Sequence, residues 1–158
     1  MKILDDYKAF VNGGSIGKKI GVLISPCFHS VCLYRFSNFM YSIHMGWLSK
    51  IVWYINRMLF HVDIDYRSNL AGGFVLVHGL GTVIGKEVCS EGKLPVYQGV
   101  TIGGNKGKIR VDEEGNVWRQ PLLGKDVIIY SGAALFGPII IADGVEVKAG
   151  SIISKDIY

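Results

Sequence analysis

Along residues 1–62 apolar side chains recur at intervals of three and four. Phe28, Cys32, Arg35 and Phe36 open a run that Phe39, Met40, Ile43, Trp47, Ile51, Tyr54, Met58 and Val62 continue, the spacing of a helix face. Breaks between helices are expected at Gly13-Gly14 and at Gly46, and Pro26 is placed to open the second helix. The face is broad, so these helices pack on something. Within the apolar stretch 20–60 the longest runs without a charged side chain cover 20–34 and 36–49, short of the ~18–20 residues a spanning helix needs.

From Ile64 the period changes. An apolar residue recurs every six positions at Ile64, Leu70, Leu76, Val88, Leu94 and Val100, with only Thr82 interrupting. The same spacing resumes at Leu123, Ile129, Leu135, Ile141, Val147 and Ile153. Six residues are too few for a helix pair or a propeller blade. They suit one short strand and a corner, with glycine where φ must be positive or backbones crowd. Three such units close a coil of 18 residues, and stacked coils form a parallel β-helix whose inward ladder is a core no single repeat supplies. The chain is thus read as mainly β: a helical region over 1–62, then a β-helix over 63–158. Between them in kind lies a departure at about 105–120, NKGKIRVDEEGNVWRQ, where the hexad is abandoned for a turn flanked by two extended pieces. Long excursions from a strict solenoid are usually functional.

Composition narrows the classes. Glycine accounts for 21 of 158 residues, twice the usual ~7%, yet no Gly-X-Y period exists. With 49% apolar and 19% charged residues, disorder is excluded. Three cysteines are too few and odd for a disulfide framework and fit a reducing compartment. Asp5 and Asp6 spoil any basic leader, so a cytoplasmic location is expected. The basic excess is confined to residues 1–62, where seven Lys and Arg face only Asp5 and Asp6. That third is either a solvated helical face or a surface for anionic lipid or an acidic partner at the inner side of the membrane. Its aromatics sit at helical spacing rather than along a basic stripe, so no nucleic-acid partner is indicated.

The segments FHSVCLYR (28–35), VDID (62–65), LVHGLGTVIG (76–85), YQGVTIGG (97–104), RQP (119–121) and KAGSIISKD (148–156) together resemble the hexapeptide-repeat acyltransferases. Within them the chain resembles the serine O-acetyltransferase-like branch, which includes acetyltransferases of capsule and lipopolysaccharide assembly. The resemblance implies a left-handed β-helix, acetyl-coenzyme A as donor, no metal, and a homotrimer. It places the catalytic histidine at His78 and its carboxylate partner at Asp63. A base near neutral pH is what acetyl transfer to a hydroxyl needs, and a carboxylate would fix its tautomer. The donor positions fall on Gly104, Ser131, Ala149 and Lys155, and the acceptor positions on Arg119 and Gln120. Cys27, His29 and Cys32 invite a metal reading, but a helical core with small soft residues explains them. His78 is the one histidine of the β-helix, too few for a zinc site.

Three departures bear on the acceptor. Val77 stands where the serine enzymes carry an aspartate before the histidine, Gln120 replaces their loop histidine, and no carboxylate lies between Asp6 and Asp63. An amino-acid acceptor needs a counter-charge for its ammonium group. The expectation is therefore a saccharide or similar neutral hydroxyl acceptor in surface-polysaccharide synthesis. The alternatives are a serine O-acetyltransferase of cysteine biosynthesis and a non-catalytic trimeric scaffold.

Overall fold

The computed structural model describes residues 1–158 throughout. Helices α1 (Lys2–Val11), α2 (Ile16–Leu23), α3 (Pro26–Ser42) and α4 (Gly46–Phe60) precede fourteen short strands between Asp63 and Ile153. Pro26 opens the third helix, not the second, because Asn12 and Gly13 turn the chain through left-handed φ values of 45° and 71° and Ser15 starts a separate short helix.

The strands wind into a prism with three parallel faces. The first stacks Asp63–Ile64, Val83–Ile84, Thr101–Gly103, Ala134–Phe136 and Ile152–Ile153. The second stacks Phe74–Val77, Leu94–Tyr97, Ile128–Ile129 and Glu146–Val147, and the third Cys89–Ser90, Leu122–Leu123 and Ile140–Ile141. Inside run columns of fully buried side chains such as Ile84, Ile102 and Leu135, or Leu76, Val96 and Ile129. Each edge contributes a Leu/Ile/Val stack that only its neighbours can cover, so the core is continuous.

The six-residue count hides a change of phase. Many turns bury two residues, two positions apart: Leu94 with Val96, Val100 with Ile102, Ala133 with Leu135. Ile64, Leu70 and Leu76 occupy the second of these slots, whereas Thr82, Val88, Leu94 and Val100 occupy the first. Val77 pairs with Tyr97, twenty positions on, but Val83 pairs with Thr101, eighteen on. Two residues have been inserted at His78-Gly79. Thr82 does not break the ladder; it is fully buried, and its hydroxyl donates to the Tyr97 carbonyl at 3.2 Å. A second insertion follows Gly103: Val96 pairs with Ile129, thirty-three positions on, one coil plus fifteen residues.

The helices close the first coil. Asp6, fully buried on α1, takes a two-pronged contact from Arg35 of α3 at 2.7 and 2.9 Å and also accepts the backbone N–H groups of Gly73 and Phe74. Arg35 donates onward to the carbonyls of Leu70 and Ala71. The apolar run read from the sequence as the packing face divides: Phe28, Arg35, Met40 and Val62 are buried, and most of the rest is turned outward. Phe36, Phe39, Trp47, Ile51, Tyr54 and Met58 are exposed, while Ser30, Ser37, Ser49 and Asn56 are buried. On α3, Val31 and Tyr34 join the core of the coils while Arg35 and Asn38 add polar contacts to them, so apolar area and directional bonds together orient the helix.

Candidate active site

His78 ends the strand Phe74–Val77 and sits on the two-residue insertion with φ 65°, followed by Gly79 at 42° and Gly81 at 71°. A left-handed conformation is uncommon for a residue with a Cβ and marks a place where the surroundings impose it. The insertion lifts the imidazole out of the corner ladder. That ladder is otherwise regular: the Gly99 N–H donates to Leu80, Gly132 to Gln98 and Gly150 to Ser131 at 2.9 to 3.0 Å.

The imidazole borders a hollow of about 320 Å³ between the prism and the helices. Pro26, Cys27 and Ser30 from the start of α3, Leu59 to Val62 from the end of α4, and Leu76 to Leu80 line it. Most of this wall is apolar, which strengthens any hydrogen bond made inside it. Burial pushes the Cys27 thiol upward, partly offset by the backbone N–H of His78. The Ser30 hydroxyl is buried and makes no hydrogen bond. His61 caps α4 with φ 54°, its carbonyl accepting the Gly81 N–H at 2.9 Å. It also borders an adjoining hollow of about 240 Å³ that contains Asp63, Arg57 and Thr82. Cys27, Ser30 and His61 were not singled out from the sequence for this site. Only the C-terminal turn of α4 folding onto the first coil brings them there.

Asp63 is held by α4. The Trp53 indole N–H donates to one carboxylate oxygen at 3.0 Å, and Arg57 reaches the other at 3.1 Å. No hydrogen bond joins Asp63 to His78 within the chain, so the expected tautomer-fixing contact is not made there; the carboxylate is turned to Trp53 and Arg57 of α4.

Ser131 and Ala149 lie on the prism edge of His78, two and three coils further along, at about 4.8 Å per coil. The edge is narrow, since a Cβ on Gly99 would stand 3.8 Å from Gly132. Its corner N–H groups are paired along the ladder, and its small residues leave room beside them for an extended chain. Gly104 and Lys155 are exposed at the opposite end of the same face. The four donor positions thus frame one face rather than one pocket.

Arg119 and Gln120 are not brought to His78 within the chain. Arg119 is exposed and stands 3.8 Å from Glu87. Gln120 is only 9% exposed and packs on Gly85, where a Cβ would collide with its carboxamide. Gln120, expected at the acceptor, is held against the prism by that packing, its Oε1 buried without a hydrogen-bond partner. The 105–120 excursion is ordered: Arg110–Val111 pairs antiparallel with Val117–Trp118, and Asp112 accepts from the N–H groups of Glu114 and Asn116. Arg110 ties the hairpin to the last coil through both oxygens of Asp156 at 2.9 Å. For Asp156, burial works upward but is outweighed by the Ile140 N–H and Arg110, so its carboxyl titrates below the usual range. No His, Cys, Asp or Glu cluster suited to a metal is present.

No family model matches the chain. It is 35% identical over 133 residues to a serine acetyltransferase of Buchnera aphidicola, covering 82% of the chain and 48% of the relative. It is 33% identical to that of Bacillus pumilus, covering 86% and 59%. Among solved structures, a serine acetyltransferase from Vibrio cholerae superposes with a TM-score of 0.86 at 24% identity, over 99% of the chain and 59% of that protein. One from Neisseria gonorrhoeae in complex with serine gives 0.83 at 26%, over 98% and 61%. The chain therefore spans about half the length of the curated relatives it matches. These likenesses overturn the expected saccharide acceptor and polysaccharide role. That expectation rested on two substitutions and a missing acidic segment, whereas the similarity to serine acetyltransferases runs through helices and coils alike. In fold and in sequence the chain is similar to the serine acetyltransferases, acyltransferases built on the same parallel β-helix with a short helical region.

Proposed function

We propose that the protein transfers an acetyl group from acetyl-coenzyme A to the hydroxyl of serine. The observation that carries this reading is the placement of His78 on an inserted left-handed turn at the mouth of an apolar hollow. His78 takes the proton of the acceptor hydroxyl as that oxygen attacks the thioester carbonyl, and returns it to the sulfur as the carbon–sulfur bond breaks. A positioned base of this kind is worth roughly 10²–10⁴ in rate. The donor supplies the activated acetyl group; Ala149 and Ser131 guide its extended arm along the edge toward His78, and Gly104 and Lys155 contact its outer part.

Asp63 acts by position. With Trp53 and Arg57 it fixes the end of α4, and so the His61–Val62 wall shared by the two hollows. The donor positions lie on an open outer face, and a groove there needs a second wall. Assembly into a homotrimer, each copy lending that wall to the next, is part of the proposal, and it gives Arg119 a neighbour's acceptor to face.

The test is release of coenzyme A thiol from acetyl-coenzyme A with L-serine as acceptor. Serine-dependent turnover is expected. A folded protein that consumes no thioester with serine overturns the reading.

A further inference from the structure

We propose that the helical region docks on an anionic lipid surface, with the outer sides of α2 and α4 lying in the plane of the headgroup and acyl-chain boundary. α2 and α4 turn most of their large apolar side chains to the outside. Between α3 and α4 the contacts are small and polar: the Ser37 hydroxyl donates to the Ser49 carbonyl at 2.7 Å, and the Asn56 amide donates to the Ser30 carbonyl at 3.1 Å. On α4, Ser49, Val52 and Asn56 face inward. Trp47, Ile51, Tyr54 and Met58 lie half a turn away at 3.6 residues per turn, Trp47 being 67% exposed. Small residues between helices and large apolar ones outside is how helices pack in lipid.

α2 repeats the pattern. Of its eight residues only Val22 is buried, and Ile16, Ile20 and Leu23, with Ile24 just beyond, point to the other side, Ile16 being 74% exposed. A helix this short does not hold itself in water, and its own domain takes almost none of its apolar surface.

Charge selects the occupant. From Tyr7 to Val62 the chain has no carboxylate. Lys18, Lys19 and Lys50 are exposed and enter no ion pair. A second copy docking through the outer side of α4 across a two-fold axis would bring Lys50 against its own image, whereas anionic headgroups neutralise it together with Lys18 and Lys19 at the margins of α2. Trp47 and Tyr54 combine an apolar body with a polar tip, the pairing favoured at membrane interfaces. No single helix is long and apolar enough to cross a membrane, so the contact is in-plane.

Flotation of the full chain with vesicles tests this. Binding is expected to phosphatidylcholine vesicles carrying roughly one-third phosphatidylglycerol, not to phosphatidylcholine alone, and high salt should release it. Lys18→Gln, Lys19→Gln and Lys50→Gln should each weaken partitioning about fivefold, following ~1 kcal/mol per basic residue. Trp47→Ser with Met58→Ser should abolish flotation while helical circular dichroism and particle size in light scattering stay unchanged. Equal binding to neutral vesicles, or none to anionic ones, overturns the proposal. So does a drop in particle size in the double variant, which would assign the face to a second copy.

Discussion

The two halves of the molecule bury their residues by different rules. In the β-helix, Leu, Ile and Val turn inward and glycines take the corners, so cohesion comes from apolar columns shared between coils. In the helical half, Phe28, Val31, Tyr34 and Met40 also turn inward, but Asp6, Arg35, Ser37, Ser49 and Asn56 are buried among them, and many large apolar side chains of α2 and α4 face out. The first half is cohesive by area; the second is pinned as well by a few directional contacts. Directional contacts fail abruptly, because the partner left behind stays buried and unsatisfied.

The largest effect should come from the pin. Arg35→Ala leaves the Asp6 carboxylate buried with only two backbone N–H partners, and breaking such a pair costs about 3–5 kcal/mol. Urea unfolding followed by circular dichroism should show a loss of that size. A loss under about 1 kcal/mol would mean that the helices are held by something else.

Next comes the ladder. Leu135→Ala opens a cavity in a fully buried column and should cost about 2–5 kcal/mol. Its counterpart on the helical outer face, Ile51→Ser, should stay within about 0.5 kcal/mol. Equal costs at the two positions would erase the distinction between the halves.

How much of this was legible follows from the same contrast. The β-helix was readable because one face of each short strand must be apolar, and the column positions obey that at Ile129, Leu135 and Ile141. The insertion at His78-Gly79 was masked. It is two residues long, and the two inward slots of each turn are also two residues apart, so counting by six passed smoothly from Leu76 to Val88 onto the other slot. The 3–4 periodicity of the helices was readable, but not which side faced inward, since Asp6 and Arg35 decide that across twenty-nine residues of chain. His78 stood out through the segment it belongs to. His61, Cys27 and Ser30 carried no such mark, being neighbours of His78 only after α4 docks. The acceptor was not legible from Val77, Gln120 and the missing acidic residues, since the likeness to serine acetyltransferases extends over most of the chain despite them.

A smaller effect concerns the hairpin. The Asp156 carboxyl titrates below its unfolded value, so its contribution is present above the ordinary carboxylate range and is lost as pH falls through the lower folded value. The pair with Arg110 is partly exposed, so the gain should be under about 1 kcal/mol. Asp156→Asn should flatten that portion of the acid unfolding profile and raise proteolysis within 105–120; an unchanged profile would remove the tether.

The most direct measurement is the serine-dependent release of coenzyme A thiol by the wild type and by His78→Ala, with thermal unfolding recorded on both. The expected result is a fall in kcat of roughly 10²–10⁴ at an unchanged unfolding temperature, since His78 is exposed on an inserted turn and supports no column. Turnover within a few-fold of wild type in the substituted protein would contradict the assignment of His78 as the base.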